Sequence, residues 1–377
     1  MAVYDVGLKL NKASDGDTDP VNDPTPLNWT SFFGDTVGLV PTVVPAVDET
    51  VSIEAQGSMV MDAFGVLVAK GSFKIQLGTT THKGGDGTLG TVDDTEYKSM
   101  ALTLGTDAFD GATAVEVFIG VGGELKDENV DNDINDASTY RDDTVDVSGA
   151  LGFKATLNDL SLVTLKNDGG TPTDVADDTS YMGLEISGLS AEFVEDIDGL
   201  TLKLWDAGLK LNQAKDGDTN PANDPAKLNW TTFFDNTAGL EPAVIPNVGA
   251  GLELEVQGTL LIDMFGFAQV QGSFAFSKSS DLTVTPSGST TTKQVDVVTF
   301  GMENVSVFVG AGPYFVDNDA AVPDGIIDGN DTPDPDATGL LLEDMTLALA
   351  LFKPTATTDT SSYYAVSGRA ESIQLLG

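Results

Sequence analysis

The chain has 377 residues, 41% of them hydrophobic, with 59 acidic side chains against 18 basic ones and a formal net charge of −41. Length alone suggests roughly two or three domains with room for a sizeable core. That charge disfavours nucleic acid and anionic membrane surfaces, both of which call for clustered Lys and Arg, and the absence of cysteine excludes disulfides and thiolate metal sites.

No run of about 18 apolar residues is present, so no transmembrane helix and no membrane insertion is expected. The N-terminus, Met1-Ala2-Val3-Tyr4-Asp5, lacks the basic and apolar regions of a signal peptide. Self-repulsion at −41 has to be screened by salt or by bound cations.

The first predicted strand is Val6–Asn11. An acidic loop follows, Asp15-Gly16-Asp17-Thr18-Asp19-Pro20-Val21-Asn22-Asp23-Pro24, and then an apolar patch, Leu27–Phe33, that carries Trp29. Period-two alternation predicts strands in segments 51–77, 99–125, 145–166 and 180–213, with Gly, Asp and Asn between the runs. No window carries a capped 3.6-residue stripe, and 41 Gly with 16 Pro argue against long helices. The stretch Ala155–Leu162 reads as a hairpin with an Asn-Asp turn.

The chain then repeats itself. An offset of 201 holds without a gap from Asp5/Asp206 to Phe73/Phe274 and pairs Trp29 with Trp230. Further on, Val117–Gly120 matches Val307–Gly310, Leu157–Leu162 matches Leu342–Leu347, and Ser180-Tyr181 matches Ser362-Tyr363. Two modules of one unit are expected, residues 1–204 and a shorter copy at 205–377, with second-copy strands near 252–278, 297–316, 338–353 and 362–376. The termini fall at nearly the same phase of the repeat, the expectation for an excised pair from a longer array.

The fold class is therefore all-β. The strand–turn–strand–long-loop rhythm favours an elongated, parallel β-solenoid-like array of tandem modules. Antiparallel β-sandwich or barrel-like modules are the alternative.

Candidate sites are the acidic loops. Asp15, Asp17, Asp19 and Asp23 recur as Asp216, Asp218, Asn220 and Asp224. Hard cations such as Ca2+ take six to eight oxygens, which alternate residues of a tight loop can supply. Proline at the sixth position and no glutamate at the twelfth exclude an EF-hand, so the competing reading is a solvated turn. A second set comprises Asp127, Asp131, Asp133, Asp136, Asp142 and Asp143 in copy one. Copy two carries Asp317, Asn318, Asp319, Asp324, Asp328, Asn330, Asp331, Asp334 and Asp336 there. Asp324–Asp331 resembles the calcium loops of dockerin-like and thrombospondin-type repeats over about ten residues. Its bland alternative is an acidic linker.

His82 reads as a solvated loop residue rather than a catalyst, and copy two has no histidine. Trp29 and Trp230 read as packing residues, with sugar stacking as the alternative. No P-loop, Rossmann fingerprint or G-x-S-x-G elbow occurs, so no enzyme is expected.

In repeat style the chain resembles modules of very large, acidic, calcium-binding bacterial secreted or surface proteins of the adhesin type. The resemblance implies a non-enzymatic structural or adhesive role at the cell surface or outside the cell. It implies Ca2+ as the stiffening ion and neighbouring modules or like subunits as partners. A carbohydrate-binding or polysaccharide-degrading β-solenoid with glycan partners, and a halophilic surface protein without metal sites, are the alternatives.

Overall fold

The computed structural model describes residues 1–15, 24–34, 38, 41–126, 143–170, 175–194, 199–218, 223–318, 333–356 and 358–377. The protein is all-β. In copy one the elements are β1 (Ala2–Leu10), α1 (Trp29–Phe32), β2 (Val51–Ala63), β3 (Leu67–His82), β4 (Thr95–Gly105), β5 (Val115–Val121), β6 (Glu124–Lys126), β7 (Thr144–Asp146), β8 (Leu151–Leu157), β9 (Asp159–Asn167) and β10 (Thr179–Val194). There follow β11 (Leu200–Asp216), α2 (Trp230–Phe233), β12 (Thr237–Gly239), β13 (Leu252–Met264), β14 (Ala268–Val284), β15 (Lys293–Ala311), β16 (Thr338–Pro354), β17 (Tyr363–Arg369) and β18 (Ser372–Leu376).

Sixteen strands form one sheet: twelve run in the order β1-β2-β3-β4-β9-β10-β11-β13-β14-β15-β16-β17, and β5, β8, β12 and β18 pair alongside this path, while β6 pairs with β7 apart from it. Each ladder among the described residues is antiparallel. The strands are therefore successive passes of a meander and not rungs of parallel coils. The physical reason lies in the connections. Three-residue turns, Phe64–Val66 and Phe265–Phe267, reverse the chain at once, with φ positive at the first two positions of each. A parallel pair would need a crossover of a dozen residues or more.

Copies one and two share this single sheet. β10 and β11 are paired from Thr179↔Asp216 to Glu192↔Lys203. The boundary expected at residue 204/205 thus lies inside β11. Register also corrects one repeat match. Leu104 faces Leu160 in copy one, whereas its counterpart Met302 faces Leu347. Leu160 therefore corresponds to Leu347, two residues beyond Met345, the partner expected from the sequence. The Val117–Gly120 match agrees with register, since Val68 faces Phe118 and Gln269 faces Phe308.

The expected hairpin at Ala155–Leu162 is absent. β8 and β9 both pair with β10, so the chain runs on through Asn158 with a kink. The backbone N–H of Asn158 donates to Gly188 O, and its carbonyl accepts from Thr106 N, which ties the kink to both neighbouring strands.

A line of such kinks crosses the sheet. Register shifts fall at Tyr4/Gly7, Ile186/Leu189, Trp205/Gly208 and Met302/Val305. Asp5, Asp206, Asn304 and Asp344 take positive φ along this line. A bulge adds one residue, so alternation resumes with the apolar side chains on the same face as before. Leu204 and Leu209 therefore share a face although they are five apart, and so do Ile186 and Ala191.

The two faces differ. One is covered by loops and carries all three core clusters: Phe118 with Val60 and Val68 beneath β6–β7, Tyr97 with Val163 and Leu165 beneath α2, and Phe308 with Leu341 beneath Tyr314. The other face has no element packed over it among the described residues.

Candidate functional site: the module junction and the acidic loops

The residues between β11 and β13 build a cap, and a buried asparagine anchors it. The Asn212 amide donates to Leu228 O at 2.8 Å and Gly249 O at 3.0 Å, and its carbonyl accepts from Trp230 Nε1 at 3.0 Å. Asn11 makes the same three bonds in copy one, to Leu27 O at 2.8 Å, to Asp48 O at 2.6 Å, and from Trp29 Nε1 at 3.1 Å. One side chain thus closes each loop at its base. The tryptophan follows at once on the covered face, starting a single helical turn.

In copy two the cap lands on copy one. Trp230 is fully buried with its ring against Gly183, where a Cβ would come within 2.6 Å of the indole. Phe233 stacks on His82 with ring centroids 5.3 Å apart and lies edge-on to Tyr97 at 6.0 Å. β12 extends the edge of β3 through Thr237↔His82. Thr80 Oγ1 donates to Leu240 O at 2.7 Å, Ala243 N to Gln76 Oε1 at 3.0 Å, and Asn247 N to Glu185 Oε2 at 2.7 Å. Every one of these contacts crosses from the second module to the first. His82 is accordingly the last residue of β3 and a partly buried junction residue, not a solvated loop residue. Trp230 packs as expected and is not presented to a sugar ring.

Burial has an electrostatic signature here. It pushes the Tyr97 phenol up to about 12, and the neighbouring Tyr181 adds to the shift. On the same face Glu54 sits between Lys9 at 2.8 Å and Lys74 at 3.6 Å. Burial raises the Glu54 carboxyl, but the hydrogen bond from Lys9 and the charge of Lys74 outweigh it, and the net shift is downward.

Among the described residues the copy-one cap has no such seat. Phe32 is 45% exposed where its counterpart Phe233 is 8% exposed. The copy-two floor is bare in turn: Thr346 and Ala348 are exposed, while Ser161, the counterpart of Ala348, is buried. A cavity of about 600 Å³ opens over this floor, lined by Gln257, Ser273, Glu303, Thr346 and Ser367 among others.

The acidic loops are only partly described. Asp17, Asp19, Asp23, Asn220, Asp131, Asp133, Asp319, Asp324, Asp328, Asn330 and Asp331 lie outside the described residues. Asp15 is exposed at the end of its segment. Asp216, Asp218 and Asp224 do come together: Asn223 Nδ2 donates to Asp216 Oδ2 at 2.7 Å and Asp218 Oδ2 at 3.1 Å, and Asp216 N donates to Asp224 Oδ1 at 3.3 Å. Asp317 lies elsewhere, beyond Tyr314 and Phe315 on the β15–β16 connection. Among the described residues no group of three or more Asp, Glu, His or Cys is arranged to hold a metal ion.

One acidic loop escaped the sequence reading. Asp93 accepts from Gly85 N at 2.7 Å and Thr91 Oγ1 at 2.8 Å, and Asp94 accepts from Gly90 N at 2.6 Å. The Thr91 hydroxyl chiefly lowers the Asp93 carboxyl. Without a copy in the second module it had no repeat to mark it.

No family model matches the chain, and no curated protein or solved structure matches it.

Proposed function

We propose that the protein is a non-enzymatic structural array whose modules join head to tail, at the cell surface or outside the cell. The observation that carries this reading is the β10–β11 junction with its α2 cap. Both halves of that junction recur at the ends of the sheet, each with its outer edge unpaired among the described residues. β1 repeats β11, and Leu8 and Leu10 are 72% and 65% exposed where Leu209 and Leu211 are partly buried. β17 and β18 repeat β10, and Val366 and Ile373 are exposed where Leu184 and Ala191 are partly covered.

Long apolar edges of this kind add a further strand unless something blunts them. The strand that fits is a β1-type strand of a like module, arriving with its Trp29–Phe33 cap. That cap would settle on the floor of Thr346 and Ala348. Edge addition plus cap makes the array elongated, and adhesion would use the loops left outside. A proline in the free edge tests it. Val366→Pro removes a ladder donor at the edge while leaving the β16 pairing of its neighbours. The unmodified chain is expected to form concentration-dependent multimers by light scattering and Val366→Pro to stay monomeric. A monomer at all concentrations removes the reading.

Ca2+ belongs to the same proposal. Asp216, Asp218 and Asp224, which are not pre-arranged as a cage, would have to close around it, at the end of the strand that carries Asn212. A cation there neutralises three carboxylates of a chain that carries −41 and fixes the loop that holds Trp230 in place.

A further inference from the structure

The second module's cap touches the first module through a few side chains, and strand register identifies what stands in their places at the far end of the sheet. Glu185 faces Ser161, and Gly183 faces Val163. Ser367 faces Ala348, the counterpart of Ser161, and Ala365 faces Ala350. Ser367 therefore stands where Glu185 does, and Ala365 where Gly183 does. On the other side of the seat, Gln76 faces Ala101 and Thr80 faces Tyr97. In the second copy Ser277 faces Thr299 and Leu282 faces Val295. Ser277 thus replaces Gln76, Leu282 replaces Thr80 and Val295 replaces Tyr97.

None of these replacements keeps the contact. Gln76 accepts from Ala243 N at 3.0 Å and Glu185 from Asn247 N at 2.7 Å, and serine is too short to reach as they do. Ser367 instead lines the open cavity over the floor. Thr80 donates to Leu240 O at 2.7 Å, and leucine has no side-chain donor. Tyr97 meets the Phe233 ring edge-on. Val295 is already buried, 2% exposed, before any cap arrives.

The position under the indole decides most. Gly183 admits Trp230, since a Cβ there would come within 2.6 Å of the indole Cε2 and Nε1. Ala365 carries that Cβ and is exposed. A Trp29 cap brought in at the same strand register meets this methyl group before it reaches the depth of Trp230. Close-packed side chains do not absorb such an overlap without displacement.

We propose that the joint between two copies of this chain is held by strand pairing with its cap unseated, that the joint inside the chain is locked by a seated cap, and that the glycine or alanine under the indole sets the difference. Resting on the edge joining proposed above, this makes the two-module chain the unit that adds and leaves. An array of such chains parts between chains before it parts within one.

The test compares the unmodified chain with Ala365→Gly over a dilution series by sedimentation. Association is expected to tighten about tenfold, the scale of relief from one overpacked contact. Glycine by itself weakens a strand, so a gain points to the seat. Adding Trp29→Ala is expected to remove the gain. Within the chain, Gly183→Ala is expected to raise hydrogen exchange across residues 228–249, and to cost stability that largely disappears on a Trp230→Ala background. Multimers of equal strength with and without Ala365→Gly overturn the proposal and leave edge joining standing. So does a gain that survives Trp29→Ala, or a Gly183→Ala cost that Trp230→Ala does not relieve. Monomers from both chains at every concentration remove edge joining, and this proposal with it.

Discussion

Trp230 donates its indole N–H to Asn212 across 3.0 Å at the base of the cap, and Trp29 does the same to Asn11 across 3.1 Å. The pair is conserved within the chain while its surroundings are not. Trp230 is fully buried against the first module, and Trp29 is not. The same local device is seated in one copy and waiting in the other.

Trp230→Ala should therefore cost more than Trp29→Ala. Loss of a fully buried aromatic is worth about 3–5 kcal/mol, and the only partly buried Trp29 should cost clearly less. Urea melts of the two variants measure this. Equal losses would mean that the cap is not seated on the first module.

Asn212→Ala leaves the carbonyls of Leu228 and Gly249 without their donor. Each such group carries a desolvation penalty of about 1–3 kcal/mol when buried. The variant should lose stability, and hydrogen exchange should rise in residues 228–249 more than in β2 or β3. Uniform exchange across the chain would contradict the local role.

Alkaline pH should loosen the junction. The Tyr97 phenol is raised to about 12 by burial and by Tyr181, against about 10 in the unfolded chain. Its contribution is fully present below about pH 10 and is lost as pH rises towards about 12. Phenolate absorbance should show Tyr97 ionising late in the intact chain and earlier in Trp230→Ala.

Acid should act at the other end. Lys293, hydrogen-bonded at 2.7 Å, and then Ser361 hold the Asp359 carboxyl at about 2, below the usual unfolded value of about 3.9. Its stabilisation is present above about pH 4 and fades as pH falls towards about 2. The Tm difference between the intact chain and Asp359→Asn should vanish over that window.

Calcium at 100-fold excess over its dissociation constant should add about 2.7 kcal/mol per site. Melts in millimolar Ca2+ and in EDTA, at matched ionic strength, should differ in midpoint. Loss of that difference in Asp216→Asn with Asp218→Asn would assign it to this loop. Equal midpoints for the intact chain would remove the ion from the account.

Alternation and turn residues made the strands legible. Segments 51–77 and 252–278 are the hairpins β2–β3 and β13–β14 because apolar residues alternate on either side of Phe64-Gly65 and Phe265-Gly266. Three things stayed hidden. Parallel and antiparallel passes have the same period, so the solenoid expectation could not be separated from a meander. A bulge at Asp206 looks like a break in alternation, although it keeps Leu204 and Leu209 on one face. Asn11 and Asn212 carried no motif, because their partners are backbone carbonyls 16 and 37 residues away. The uncovered apolar face was missed for a further reason: a strand shows which residues share a face, but not whether that face is packed.

Cross-linking across the free edges tests head-to-tail joining most directly. In the internal junction Leu184 faces Leu211, so Val366 should face Leu10 of the next module. The chain has no cysteine of its own, which makes Leu10→Cys with Val366→Cys a clean probe. Mild oxidation should give a ladder of disulfide-linked multimers, and moving the first cysteine one residue along, as Lys9→Cys with Val366→Cys, should weaken it. A chain that remains monomeric under oxidation, or that cross-links equally well in both registers, would contradict head-to-tail edge pairing.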